Sequence, residues 1–249
     1  MDNRKSLYFI LPLIALVLMA CRVGSVRINS RHIEGSGNVV TEEREVSGVE
    51  RVSLEFVGDL TVIQGDEEGL TIEADDNLME VIETRMQGHE LIIGLDENVD
   101  VDTDNPIRYT LRVRDLDRIT VSGSGNVVSQ KLDVETLDLR ISGSGNMTIE
   151  ELVTTDLEVR ISGSGNVDLL GTADEQDIHI TGSGNYHAGD LHSRQVNVVV
   201  SGSGDVSVWP DESLDVRITG FGNVSYYGSP KVTQSITGSG SISSLGTHK

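Results

Sequence analysis

The chain is predicted to be all-β, folding as a right-handed parallel β-solenoid of about seven rungs of 18–20 residues, preceded by an irregular β-rich part. Two observations predict it. The first is a four-residue corner that recurs seven times: Gly123-Ser124-Gly125-Asn126, Gly143-Ser144-Gly145-Asn146, Gly163-Ser164-Gly165-Asn166, Gly182-Ser183-Gly184-Asn185, Gly202-Ser203-Gly204-Asp205, Gly220-Phe221-Gly222-Asn223 and Gly238-Ser239-Gly240-Ser241. Its first glycines are separated by 20, 20, 19, 20, 18 and 18 residues, and self-similarity at such a period is the mark of a stacked-repeat architecture. The second is alternation of apolar and polar residues around every corner, the period of a strand with one buried face.

The chain opens with Arg4 and Lys5 before an apolar run from Leu7 to Ala20, the layout of a secretory signal. That run is too short for a comfortable transmembrane span. It ends at Leu18-Met19-Ala20-Cys21, which resembles the bacterial lipobox, where a small residue precedes a cysteine that is acylated and becomes the new N-terminus. Cys21 is the only cysteine, so it has no internal disulfide partner in an exported chain. Two or three acyl chains make a stable anchor, since each buried methylene contributes about 0.8 kcal/mol. Residues 1–20 are therefore expected to be a lipoprotein signal peptide, Cys21 the lipidation site and residues 21–34 a tether. Arg22 after the cysteine leaves out the Asp-type signal for inner-membrane retention. The expected location is extracytoplasmic, lipid-anchored to the bacterial cell membrane or outer membrane.

Residues 35–118 form the irregular β-rich part. It holds an isolated copy of the corner, Gly35-Ser36-Gly37-Asn38, and short strand-like segments such as Val52 to Phe56, Leu60 to Ile63, Leu70 to Glu73, Glu90 to Ile93 and Tyr109 to Val113, separated by Gly, Asp and Asn turns. This part is expected to begin the solenoid and cap it. Leu78 to Met86 suits one or two helical turns. Asp96 to Asp104, followed by Asn105-Pro106, suits an exposed loop.

Residues 119–249 are the repeat solenoid. Four and two residues before each of the first six corners stand Ile119 and Val121, Leu139 and Ile141, Val159 and Ile161, Ile178 and Ile180, Val198 and Val200, Val216 and Ile218. Four after its first glycine stand Val127, Met147, Val167, Tyr186, Val206, Val224 and Ile242. These positions are expected to point inward. A single rung cannot bury its own apolar edge, so each must stack in register on the next, about 4.8 Å away. The corner glycines suit a bend that needs positive φ or close backbone approach. Stacking would align Asn126, Asn146, Asn166, Asn185, Asp205 and Asn223 in a ladder of side-chain amide bonds.

The net charge of −21 argues against nucleic acid as a partner and against a polybasic attachment to anionic lipid, which leaves the membrane contact to the N-terminal lipid. Outward positions carry Asp138, Glu158, Asp177 and Asp215 beside Arg140, Arg160 and Arg217. A carbohydrate-active β-helix would use such a carboxylate row, but one acid and one arginine per rung is also what a solvated face requires, and no catalytic residue is assigned. Calcium is considered at Asp96, Asp100, Asp102 and Asp104, and at Asp205 by analogy with nine-residue calcium-binding repeats; the period here is about 20, and the bland reading is a solvated acidic loop. His187 and His192 flank Asp190 without an evident third ligand. Trp209-Pro210 with Phe221, Tyr226 and Tyr227 concentrates the rings, which suit packing at the C-terminal end better than sugar stacking. No metal or cofactor is expected.

The run Gly35 to Val39, Val46-Ser47-Gly48-Val49, Gly58-Asp59-Leu60-Thr61-Val62, Gln64-Gly65-Asp66, Gly88-His89-Glu90-Leu91 and the serial corners together resemble the "head GIN domain" family of putative auto-transporter adhesins, over about residues 35–249. The resemblance implies a β-helical, often lipid-anchored envelope protein without established catalytic residues. The expected function is a non-catalytic cell-envelope lipoprotein displaying a repetitive surface for adhesion or scaffolding, toward a protein or glycan ligand. The alternatives are a carbohydrate-active β-helix enzyme using the acidic outer face, and a structural or sensory envelope component that binds a membrane protein.

Overall fold

The computed structural model describes residues 31–96 and 98–248. The predicted signal segment, Cys21 and most of the tether lie outside the described residues. The N-terminal strands in chain order are β1 (Arg31–Glu34), β2 (Val39–Arg44), β3 (Arg51–Leu54), β4 (Asp59–Gln64), β5 (Gly69–Asp75), β6 (Ile82–Gln87), β7 (Glu90–Leu95), β8 (Val99–Asp102) and β9 (Arg108–Val113). They are followed by β10 (Arg118–Val121), β11 (Asn126–Ser129), β12 (Leu132–Ile141), β13 (Met147–Ile161), β14 (Val167–Ile180), β15 (Tyr186–Val200), β16 (Val206–Gly220), β17 (Asn223–Tyr227), β18 (Lys231–Gly238) and β19 (Ser241–Gly246).

From β10 onward every strand pairs in parallel with the equivalent segment one repeat away, for example Val159 with Ile178 and Ile178 with Val198. The seven corners delimit a parallel β-solenoid of about six turns. A strand of 15 residues such as β13 cannot be straight, because the chain lies over its own next copy after 20 residues. Its bends show in its burial: alternation holds over Met147–Ile149, Leu152–Thr154 and Leu157–Ile161, and breaks at the exposed pairs Glu150-Glu151 and Thr155-Asp156. With the glycine corner, each turn therefore has three bends and three short faces. The predicted inward columns are buried, including Ile119, Leu139, Val159, Ile178, Val198 and Val216. Each such side chain taken from water contributes roughly 1.5–3 kcal/mol.

Close approach, rather than positive φ, is what the glycines of the central corners supply. An added β-carbon at Gly143 would overlap the carbonyl oxygen of Gly123, and one at Gly145 would overlap that of Gly125. Neither has positive φ. The stacked corners leave no room for a side chain between successive backbones.

Before the repeats, stacking order departs from chain order. β3 and β4 pair in parallel with β10 and β11 on one side and with β7 and β9 on the other. Residues 51–64 are thus a rung in their own right, and Glu55-Phe56-Val57-Gly58-Asp59 is a corner in which only the second glycine and an acid in place of Asn survive. Beyond β7 and β9 the parallel arrangement stops: β6 runs antiparallel to β7, and β5 runs antiparallel to both β9 and β2. These strands cap the solenoid.

Two local expectations are corrected here, and the isolated copy of the corner is placed. Leu78 to Met86 is not helical beyond the short 3₁₀ turn Asp76–Leu78, because Ile82–Gln87 completes the antiparallel cap. The acidic segment is not a loop throughout, since Val99–Asp102 pairs with Arg31–Glu34 as β8 with β1. The isolated Gly35–Asn38 copy is no corner of the stack. Its Ser36 hydroxyl and Asn38 amide donate to Asp76 at 2.5 and 2.9 Å, and these two bonds hold the Asp76 carboxyl below its usual range.

Candidate functional site

Register turns single outward residues into continuous rows. On the face that follows the second bend, one row reads Thr136, Asp156, Glu175, Gln195 and Ser213, and the next, two residues along each strand, reads Asp138, Glu158, Asp177, Asn197 and Asp215. Between them lie the inward residues Leu137, Leu157, Gln176 and Val196, whose backbone forms a floor because their side chains point into the core. The two rows wall a groove of about 640 Å³ that runs along the solenoid axis.

A third row, Thr120, Arg140, Arg160, His179, Val199 and Arg217, lies beside the groove. Its cations lean onto the second row. Arg140 reaches Asp138 at 2.6 Å, Arg160 pairs with Glu158, and His179 lies 3.2 Å from Asp177. Asp138 also accepts from Arg118 at 3.0 Å. Partial burial raises the Asp138 carboxyl, but the bonds and charges of Arg140 and Arg118 outweigh it and hold the group below the usual carboxylate range. A glycosidase acid needs the opposite shift. The mixed-charge outer face expected from sequence is therefore segregated: basic on one flank, acidic on the two walls of the groove.

The Asn ladder forms along the corner. Asn146, Asn166 and Asn185 each donate a side-chain amide to the Oδ1 of the preceding Asn at 2.9 Å. The chain of bonds extends before the repeat, from Asn126 to Asp59 at 2.9 Å, and reaches its last corner, where Ser241 donates to Asn223 at 2.7 Å. Asp205 accepts from Asn223 and joins Asn185 only through its backbone N–H, at 2.9 Å. Its carboxylate is a rung of the ladder, not part of a calcium repeat.

The other singled-out residues are dispersed. His187 lies 2.9 Å from Asp168, whereas His192 meets Trp209 edge-on at 4.7 Å. Asp190 lies 2.9 Å from His248, which stacks on Trp209 at 3.9 Å with Tyr227 against its edge. Tyr226 packs on the core, while Phe221 stands apart at its corner, 69% exposed. Asp100 lies 3.3 Å from His32, and among the described residues no group of three His, Cys, Asp or Glu is placed to hold a metal. Inside the core, Tyr186 donates to Gln176 at 2.6 Å and Gln176 to Ser193 at 2.5 Å. All three side chains are buried, and burial raises the Tyr186 phenol far above its usual range. The sequence reading missed the first groove row, although Asp156 and Glu175 fall at equivalent positions of consecutive repeats.

The family model described as "Putative auto-transporter adhesin, head GIN domain" matches residues 50–230. The chain belongs to this family. The head GIN domain fold recurs in a putative adhesin from Bacteroides fragilis NCTC 9343, 28% identical, with a TM-score of 0.82, over 86% of this chain and 100% of the other. Putative adhesins from Parabacteroides merdae ATCC 43184 and Parabacteroides distasonis ATCC 8503 are 26% and 25% identical, both with a TM-score of 0.71. They cover 87% and 86% of this chain respectively, and each is covered in full. No curated protein matches the chain. The matched region includes the rung of residues 51–64 and the whole groove, so the candidate site lies in the part shared with these adhesins.

Proposed function

We propose that this head GIN domain protein is a non-catalytic, extracytoplasmic adhesion module, anchored through acyl chains on Cys21, that engages a linear, cation-bearing polymer in the acidic groove. The observation that carries the reading is the groove itself. Two register-locked rows present carboxyl and amide groups at each rung step of about 4.8 Å, a spacing suited to a chain lying along the axis. The family's adhesin description supports display outside the cytoplasm. Asp138, tied up by arginines and held ionised, supports a binding role over acid catalysis.

Asp156 and Glu175 on the far wall are the recognition groups of this reading, and the second row is oriented by its arginines. The test is binding of a lysine-rich peptide and of a partly deacetylated chitin oligomer to the purified protein, followed by calorimetry at low and at physiological salt. Binding should weaken with salt and fall at least tenfold in Asp156→Ser/Glu175→Ser. Binding unchanged in that variant, or turnover of the oligomer, would overturn the proposal. A Cys21→Ser chain should stay unprocessed and take up no palmitate analogue, and labelling of that variant would remove the anchor from it.

A further inference from the structure

The two ends of the solenoid are built differently. At the N-terminal end the last parallel strands, β7 and β9, are covered by antiparallel β6 and β5. At the other end β18 pairs only with β16 and β19 only with β17 among the described residues, so 14 strand residues present an outer edge of backbone donors and acceptors. Edge strands of this length are normally blunted by charge, proline or bulges. Here Lys231 at the start of β18 is the one charge and β19 has an irregularity at Leu245, but from Val232 to Ser244 there is no charged residue, no proline and no bulge.

Charge is distributed to match. All 40 acidic residues precede position 216, so the final rung and a half carries none, in a chain of net charge −21. Sideways approach of two copies brings acid rows together, whereas approach through this end does not. The inward columns also run out there. Val232 and Ile242 are only partly buried against the core, Ile236 is 40% exposed, and Gln234 stands exposed where Val216 and Val198 occupy the same column beneath it.

We propose that the C-terminal end is a self-association surface through which two copies of this chain join end to end, each edge rung completing the other's sheet and covering its last apolar column. A second copy is the occupant that fits: it brings a Ser/Thr/Gln-rich edge of equal length, and the one charge on each edge, Lys231, stands at the start of β18, away from the exposed Gln234 and Ile236. The outer edges of the N-terminal cap, on β2 and β6, carry charge (Glu42, Glu43 and Arg44; Glu83 and Arg85), so among the described residues one end alone presents a nearly uncharged edge, and the contact is isologous and closes at a dimer instead of growing into a filament. The groove lies on a side face and stays accessible in the dimer, so this inference stands or falls apart from the binding proposal.

The test is sedimentation velocity on the purified full chain in excess mild detergent, over a concentration series at low and high salt. The wild type should shift from monomer to dimer with rising concentration and keep the dimer at high salt. Gln234→Glu/Ile236→Glu places four carboxylates across the junction at positions already exposed in the monomer. It should weaken dimerisation at least tenfold, with unchanged circular dichroism and urea midpoint. Ile236→Lys alone repeats the test if the double variant folds poorly. A wild type that stays monomeric at every concentration, dimers that survive both variants, or a growing series of higher oligomers would each overturn the proposal.

Discussion

Removing one amide from the middle of the ladder measures what the stacked corners contribute. Asn166→Ala deletes the bond from its amide to Asn146 Oδ1 at 2.9 Å, and the two bonds that Asn166 Oδ1 accepts from the Asn185 backbone and side chain, at 3.2 and 2.9 Å. The bond from the Asn166 backbone to Asn146 survives. At about 0.5–1.5 kcal/mol each, three lost bonds amount to roughly 2–4 kcal/mol. Water can replace part of this because the site is half-buried, so the loss should settle at about 2 kcal/mol. Asn166→Asp keeps an acceptor for Asn185 and loses only its donor, as Asp205 does naturally, and should cost about half as much. Urea unfolding followed by circular dichroism would read both, with equal slopes and ordered midpoints. An Asn166→Ala midpoint within about 0.5 kcal/mol of wild type would refute the ladder as a stabilising element.

Other substitutions separate the interior, the corner and the outer face. Gly145→Val drives a β-branched side chain into the Gly125 carbonyl and should cost well beyond the ~1 kcal/mol of simple propensity, by urea midpoint. Ile161→Asp buries an unpartnered carboxyl in the inward column and should cost more still, to the point of lost soluble yield. Arg160→Ser removes a half-exposed guanidinium while Asp138 keeps Arg140 and Arg118, and should stay within about 0.5 kcal/mol. Asp138→Asn should destabilise by about 1 kcal/mol at neutral pH. Because the folded-state carboxyl is depressed, its stabilisation is present above the unfolded pKa near 4 and is lost as pH falls through the folded value. The gap between variant and wild-type melting temperatures should therefore close below about pH 4 and not at alkaline pH.

The repeats were legible because stacking demands that equivalent residues recur: the inward columns and the Asn ladder follow from spacing alone. The rung of residues 51–64 was harder, since Phe56 and Val57 replace Gly-Ser and only Gly58-Asp59 marks the corner; the link between Asn126 and Asp59 shows the equivalence. The cap was not legible. Whether Ile82–Gln87 turns helical or pairs with Glu90–Leu95 is decided by a partner available only once the solenoid end exists. The groove was half legible. The row from Asp138 to Asp215 announced itself through its arginines, while Asp156 and Glu175 sit beside a bend that only the breaks in burial locate.

Register is the claim on which the groove, the ladder and the capped rung all depend, and cysteine pairs test it most directly. Paired positions on adjacent parallel strands lie about 4.8 Å apart, within disulfide reach, whereas diagonal neighbours at about 7–8 Å are not. In a Cys21→Ala background, Asp156→Cys/Glu175→Cys, which are register partners, should oxidise completely to an intramolecular disulfide. Asp156→Cys/Asp177→Cys should remain reduced under the same conditions. Ready closure of the 156–177 pair with a reduced 156–175 pair would contradict the stacking described here.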